Sequence, residues 1–117
     1  MPEPLSDAVL AVLGRLLRAE DPIAAGLRAQ LPHTRASPGC ECGCATVDLS
    51  VDVGEVAPVE VPRRDFASAR IEAADGTPRG DLLLFVEGGY LSRLEVSSYG
   101  EPINEWPPPE EVRAEAR

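Results

Sequence analysis

The strongest alternation of apolar and polar residues along this chain runs from residue 46 to residue 53. Side chains that alternate in this way point to opposite faces of a β-strand, so the pattern predicts a strand with one buried face. The predicted buried set is Val47, Leu49, Val51 and Val53, and the predicted exposed set is Thr46, Asp48, Ser50 and Asp52.

Two segments before this strand repeat apolar residues at steps of three and four, which predicts two amphipathic helices. The first helix begins at Ser6 or Asp7, because either side chain can accept hydrogen bonds from the free N–H groups of a helix start. The second begins after Asp21, with Pro22 in its first turn, and ends before Pro32. The apolar positions are Val9, Leu10, Leu13, Leu16 and Leu17 in the first helix, and Ile23, Leu27 and Leu31 in the second.

Two later strands flank Gly88 and Gly89, a dipeptide typical of hairpin turns. A simple two-residue turn would pair Leu83 with Leu94, whereas one extra residue at the glycines would pair Leu84 with Leu94 instead. The second register unites the apolar residues of both strands on one face. We therefore predict the bulged register, with Gly89 at a positive φ angle.

The order of the elements, with helices first and strands afterwards, predicts an α+β fold. Residues 67–73 add another alternating strand, and residues 33–39 are a loop or a short edge strand. We expect two N-terminal helices packed on an antiparallel sheet of four or five strands, in a single domain over residues 1–100. We expect residues 101–117 to form a proline-rich tail that Trp106 holds against the domain. The last residues of this tail should fray.

The chain carries a net charge of −9, from 20 acidic residues and 11 basic residues that are all arginine. This charge repels phosphate backbones, so the composition disfavours nucleic-acid binding. It is compatible with a basic protein partner, and it is also an ordinary way for a protein to stay in solution. The candidate partner-binding residues are Asp48, Asp52 and Glu95.

No stretch of the sequence approaches the roughly 20 apolar residues that span a bilayer, so we expect no membrane partner. The N-terminal residues are acidic and amphipathic, unlike a secretory signal peptide. We therefore expect a cytoplasmic protein, in which cysteines are free thiols or metal ligands rather than disulfides. The sequence does not indicate an oligomeric state.

Three cysteines, Cys40, Cys42 and Cys44, stand at alternate positions just before the first predicted strand, and His33 lies upstream. Three sulfurs and one nitrogen are a ligand set that Zn²⁺ accepts. However, alternate side chains on a straight strand lie about 6.6 Å apart, so the segment would have to coil. The cysteines can equally pack as small apolar groups or act as redox thiols, for which Arg35 is the nearest cation in sequence.

The chain contains no nucleophile elbow, no glycine-rich phosphate loop and no dinucleotide-binding fingerprint. Asp48 and Asp52 lie about 13 Å apart on a straight strand, which is too far for the carboxylate pair of a retaining glycosidase. The sequence therefore predicts no enzyme and no cofactor, with zinc as the alternative if the thiols bind metal.

The segment from Cys40 to Leu49, with the pattern C-x-C-G-C-x-T-V-D-L, and the hairpin from Leu83 to Val96 resemble small uncharacterised proteins of high-GC actinobacteria. The resemblance implies a single α+β domain and adds no site. Our first hypothesis is a non-enzymatic acidic module that binds a protein partner, of an immunity or regulatory type. The alternative is a metal-binding or thiol-redox protein that uses the three cysteines.

Overall fold

The computed structural model describes residues 2–39 and 44–114, in which two α-helices and seven strands form one α+β fold. The helices are α1 (Asp7–Leu16) and α2 (Pro22–Gln30). The strands are β1 (Glu3–Pro4), β2 (Thr34–Pro38), β3 (Val47–Val51), β4 (Asp65–Glu72), β5 (Pro78–Glu87), β6 (Tyr90–Ser98) and β7 (Val112–Ala114). All pairings are antiparallel, in the order β1-β2-β3-β6-β5-β4-β7.

Both helices begin where their capping residues predict. The Ser6 hydroxyl accepts a hydrogen bond from the Val9 N–H at 3.2 Å, and the Asp21 carboxylate accepts one from the Ala24 N–H at 2.9 Å. Each bond satisfies an N–H group that has no partner inside its own helix. Pro22 follows Asp21 at the first position of α2, as predicted.

The two helices pack on the same face of the sheet, which we call the covered face. α1 lies against β4 and β7, and α2 lies against β6. The predicted core residues Leu13, Leu27, Leu49, Leu84, Leu94 and Val96 are all buried. Val47 and Val51 are half-buried, and Val53 is 62% exposed because the strand ends at Val51.

The hairpin of β5 and β6 has the predicted register, with Leu84 opposite Leu94. Gly88 and Gly89 have φ angles of 61° and 88°, which suit a two-residue turn of the type that matches strand twist. The extra residue is Ser92, between the Leu91 and Arg93 pairings, so the prediction that placed the bulge at the glycines is wrong. A bulge can shift the register at any point between the turn and the matched apolar residues, so the apolar pattern alone does not locate it.

The sheet has seven strands in the described residues, which corrects the predicted four or five. The two strands absent from the prediction are β1 and β7, which form the two edges. They contain two and three residues, too few for an alternating pattern to appear. Residues 34–38, predicted as a loop or edge strand, form β2 between β1 and β3.

The segment after β6, predicted as a tail, runs back along the covered face before it forms β7. Ile103 is 2% exposed and accepts a hydrogen bond on its carbonyl from the Ala45 N–H at 3.0 Å. Trp106 is partly buried against the core, as predicted, and Val112 is fully buried. Residues 109–111 form one 3₁₀ turn, and Val112 anchors the strand that follows, so residues 109–114 are not frayed as predicted. The rest of the predicted frayed segment, residues 115–117, lies outside the described residues.

The side chain of Gln30, at the end of α2, is fully buried and joins three parts of the fold. Its amide nitrogen donates to the carbonyl oxygens of Ala57 and Gly89 at 3.2 and 2.9 Å, and its oxygen accepts from the Leu91 N–H at 3.0 Å. A buried amide is tolerated in a core only when its donors and acceptor are satisfied in this way.

The pairing of β3 with β6 is the shortest between neighbouring inner strands. It contains two residue pairs, Val47 with Leu94 and Asp48 with Arg93. One side-chain contact extends it, because the hydroxyl of buried Thr46 accepts a hydrogen bond from the Val96 N–H at 3.0 Å. This seam joins the β1-β2-β3 group to the β6-β5-β4-β7 group.

Candidate functional site

The sheet face opposite the two helices, which we call the helix-free face, is defined by strand register. Side chains directly opposite one another on paired strands share a face, so Asp48, Arg93 and Phe85 lie on the same side. The charged residues of this face are Arg35, Asp48, Asp65, Arg70, Glu72, Arg79, Asp81, Glu87, Arg93, Glu95 and Arg113, and its large apolar residues are Leu83 and Phe85.

Two of the predicted partner-binding residues, Asp48 and Glu95, meet on this face through Arg93. The Arg93 guanidinium lies 2.7 Å from the Asp48 carboxylate and 3.3 Å from that of Glu95. The three side chains are 33%, 51% and 35% exposed, respectively, so solvent screens the ion pairs. The positive charge of Arg93 therefore offsets one of the two negative charges, those of Asp48 and Glu95, that we predicted to bind a partner.

The third predicted partner-binding residue, Asp52, lies elsewhere. It follows the end of β3, where its backbone N–H donates to the His33 carbonyl at 2.9 Å. Its carboxylate accepts from the Gly54 N–H at 3.3 Å, and it is exposed. Asp52 thus belongs to the connection between β3 and β4 at one end of the sheet, and not to the group around Arg93.

Negative charge is concentrated in a connection that sequence reasoning did not single out, residues 99–111, which we call the acidic connection. It contains four glutamates and no arginine, a signal that is visible in the sequence. Glu101, Glu105 and Glu110 are exposed, whereas Glu111 pairs with Arg79 at 3.2 Å. Buried Ile103 fixes the backbone between the exposed acids.

Tyr99 begins the acidic connection and is 53% exposed. Its hydroxyl donates a hydrogen bond of 2.7 Å to the carboxylate of Asp81. Because this bond is made by the protonated phenol, and because Asp81 repels a phenolate, the pKa of Tyr99 is raised. The Tyr99 hydroxyl is thus held against Asp81, a residue of the helix-free face.

Of the three cysteines, Cys44 lies within the described residues, and Cys40 and Cys42 lie outside them. Cys44 is half-buried and is a free thiol. Hydrogen bonding with Thr46, helped by the positive charge of Arg93, lowers the pKa of the Cys44 thiol. The cation that acts on Cys44 is therefore Arg93, which is distant in sequence, rather than the predicted Arg35 on β2.

The structure does not bring His33 and Cys44 together. His33 precedes β2, whereas Cys44 lies close in sequence to Thr46, whose carbonyl accepts a hydrogen bond of 3.0 Å from the Gly39 N–H at the far end of β2. Gly39 lies six steps of extended chain beyond His33, a distance of about 20 Å. Within residues 2–39 and 44–114, no group of three or more His, Cys, Asp or Glu side chains could hold a metal ion.

A surface groove of about 600 Å³ lies beside the glycine turn of the β5–β6 hairpin, along residues 58–64. Its two arginines each have an acidic neighbour, Arg63 with Asp65 at 3.5 Å and Arg64 with Glu87 at 3.6 Å. The groove therefore presents no net positive charge and no convergent catalytic groups. We assign no function to it.

Comparison of the chain with protein-family models, with curated proteins and with solved structures found no match. In the part of the chain that the structure describes, neither helix has the length and apolar character needed to cross a membrane. The function of this protein must therefore be inferred from the shape and charge of its own surface.

Proposed function

We propose that this protein is a non-enzymatic binding module that engages a basic protein partner through the acidic connection. The observation that carries this proposal is the geometry of residues 99–111, where three exposed glutamates stand on a backbone that buried Ile103 and half-buried Trp106 hold in place. Fixed charges of one sign accelerate association with an oppositely charged partner and orient it.

The neighbouring aromatic residue supports the same surface. Tyr99, two residues before Glu101 in the chain, exposes about half of its area. Tyrosine rings are enriched at protein interfaces, because they contribute a large contact area and can also stack on cationic side chains. A basic segment that pairs with Glu101 and Glu105 can therefore also contact this ring.

The helix-free face is a weaker candidate for a basic partner. Asp48 and Glu95 already pair with Arg93, so a partner cation competes with an internal one. Asp52 stands in a second arginine-free connection, residues 52–62, which carries three acidic residues. This second connection offers a matched comparison.

Two triple variants test the proposal. The first replaces Glu101, Glu105 and Glu110 by Gln, and the second changes Asp52 to Asn and both Glu55 and Glu60 to Gln. Each variant removes three negative charges, so both change the net charge from −9 to −6. Wild type and both variants are immobilised, and proteins captured from the producing cells are quantified by mass spectrometry across a salt series.

We expect a captured set of basic proteins that the first triple variant loses and the second retains. Capture should weaken steeply with salt, because exposed charges are screened over about 10 Å at 0.1 M ionic strength. A third arm, Asp48→Asn with Glu95→Gln, tests the helix-free face. Equal losses in the two triple variants would mean that net charge alone attracts the captured proteins, and they would refute the proposal.

The alternative function, a metal-binding or thiol-redox protein that uses Cys40, Cys42 and Cys44, is favoured by one observation. The hydrogen bond between Gly39 and Thr46 closes the connection that contains all three cysteines. Elemental analysis of the purified protein, with a thiol titration before and after chelation, tests this alternative. A stoichiometric metal that protects three thiols would favour it, and three reactive thiols without metal would leave only the redox form.

A further inference from the structure

The acidic connection contains one turn of chain whose conformation is favoured by its own covalent structure. Trp106, Pro107 and Pro108 each precede a proline, and a residue in that position is disfavoured in the helical region and favoured in an extended one. Pro108 has a φ angle of −63° and a ψ angle of 151°, close to those of a polyproline II helix. Residues 106–108 belong to neither a helix nor a strand, so the sequence favours one polyproline II turn there.

The fold covers one side of this turn and leaves another side in solvent. A polyproline II helix has three residues per turn, so three successive side chains point in three different directions. Pro107 is buried, whereas Pro108 is exposed. Trp106 and Pro109 are half-buried, and Trp106 packs against the core. Residues 106–109, which we call the proline ridge, therefore present apolar rings on an anchored and extended backbone.

The backbone of the proline ridge offers acceptors and few donors. Pro107, Pro108 and Pro109 have no N–H group, so each contributes only a carbonyl oxygen to hydrogen bonding. A binding surface for this ridge must therefore supply donors as well as apolar contact. Tyrosine and tryptophan side chains supply both, because each has an apolar ring and one polar hydrogen.

The flanks of the proline ridge are acidic. Glu105 precedes the ridge, Glu110 follows Pro109, and both glutamates are exposed. An apolar ridge with a negative charge at each end is complementary to a groove that has apolar walls and basic residues at its two ends.

We infer that the basic partner receives the proline ridge in a groove lined by tyrosine and tryptophan side chains. This inference rests on the proposed function and adds to it the kind of site that the partner carries. Proline rings pack on the aromatic walls, as in other grooves that bind polyproline II segments. A segment that is already extended loses little conformational entropy on binding. Glu105 and Glu110 pair with the basic residues at the ends of the groove.

Full-chain variants and a purified partner test this inference. Each protein that wild type captures and the Glu101, Glu105 and Glu110 triple variant loses is purified, and its Kd is measured by calorimetry. Pro108→Ala removes the exposed ring and loosens the backbone, so it should raise Kd at least about tenfold. The matched control is Pro102→Ala, at an exposed proline of the acidic connection outside the ridge, which should leave Kd unchanged.

Salt separates the two parts of the contact. The effect of the three glutamates should shrink as salt rises, because exposed charges are screened. The ratio of Kd between Pro108→Ala and wild type should persist, because apolar packing is not screened in this way. Thermal unfolding of each variant shows whether it is folded.

Trp106 supplies a direct readout, because it is the only tryptophan in the chain. Incorporation of 5-fluorotryptophan gives one ¹⁹F signal, which should shift when the unlabelled partner saturates the wild-type chain. An unmoved signal would overturn the inference, and so would a Kd that Pro108→Ala leaves unchanged or that Pro102→Ala raises equally. Each of these results leaves the proposed function intact. A wild-type chain that captures no protein lost by the triple variant would refute the proposed function and this inference with it.

Discussion

The covered face and the helix-free face of the sheet are built from neighbouring residues of the same strands, yet they have opposite properties. On β5, the side chains of Leu82, Leu84 and Val86 lie on the covered face and are at most 1% exposed. The alternate side chains Asp81, Leu83 and Phe85 lie on the helix-free face and are only half-buried. Because side chains alternate between the two faces, the covered face contributes most of the stability, and the helix-free face is available for contacts with other molecules.

The two faces also treat polar groups differently. The buried polar side chains Gln30, Thr34 and Thr46 each form a hydrogen bond, and no buried side-chain nitrogen or oxygen in the described residues lacks a partner. On the helix-free face the ion pairs are solvent-exposed, and such pairs contribute little to stability. Substitutions should therefore have large effects on stability at the covered face and small ones at the helix-free face.

The largest difference is expected between two neighbouring leucines of β5. Leu84→Ala opens a cavity under the helices and should lower the free energy of unfolding by about 3–5 kcal/mol. Leu83→Ala, on the helix-free face, should lower it by less than about 1 kcal/mol. Urea denaturation of both variants measures the two losses. Equal losses in the free energy of unfolding would mean that the two faces contribute equally to stability.

The next effect concerns the amide that joins α2 to the hairpin turn. Gln30→Met keeps the length of the side chain but leaves the Leu91 N–H without its acceptor, which should cost about 1–3 kcal/mol. Hydrogen exchange should accelerate at the Leu91 amide more than at the Val96 amide, whose acceptor is Thr46. An unchanged rate at Leu91 would show that this hydrogen bond does not limit exchange at the turn.

A smaller effect is expected from Arg93→Ala. Its ion pairs are exposed, so the loss of stability should stay under about 1 kcal/mol. Removal of the guanidinium should also raise the pKa of the Cys44 thiol, because Arg93 favours the thiolate. Iodoacetamide labelling across pH, in a Cys40→Ser, Cys42→Ser background, measures this shift. Arg35→Ala serves as the control and should leave the labelling profile unchanged.

The smallest effect should appear only in alkaline solution. Asp81→Asn should lower the pKa of Tyr99, because the carboxylate that favours the protonated phenol is gone. The raised pKa of Tyr99 in the folded state means that this contact contributes to stability below the pKa of the unfolded state and is lost as pH rises through the folded value. Ultraviolet titration in a Tyr90→Phe background isolates Tyr99. A pKa that does not fall would exclude Asp81 as the cause.

The parts of the fold that follow from short-range chemistry could be predicted from the sequence. Ser6 and Asp21 identify the helix starts, because capping depends on residues three positions apart. The hairpin register follows from the match of two apolar patterns across one turn. Neither inference requires knowledge of any other part of the chain.

The parts that were missed depend on contacts between distant segments. β7 pairs with β4, more than 40 residues earlier, and its three residues carry no pattern of their own. Arg93 meets Asp48, 45 residues away, because β6 lies beside β3. Alternation predicts that both side chains are exposed, but it does not predict which strands are neighbours. For the same reason, the cation near Cys44 could not be identified from sequence.

The short seam between β3 and β6 has a consequence for the order of folding. Three of the six strand pairings, β2 with β3, β4 with β5 and β5 with β6, are hairpins that close over short loops, whereas the seam joins segments more than 40 residues apart through two residue pairs. Closure of so long a loop is opposed by chain entropy, and two pairs offer little enthalpy to offset it early. The two groups of strands should therefore form first as separate units, and their docking at Val47 and Leu94 should be the step that limits the folding rate.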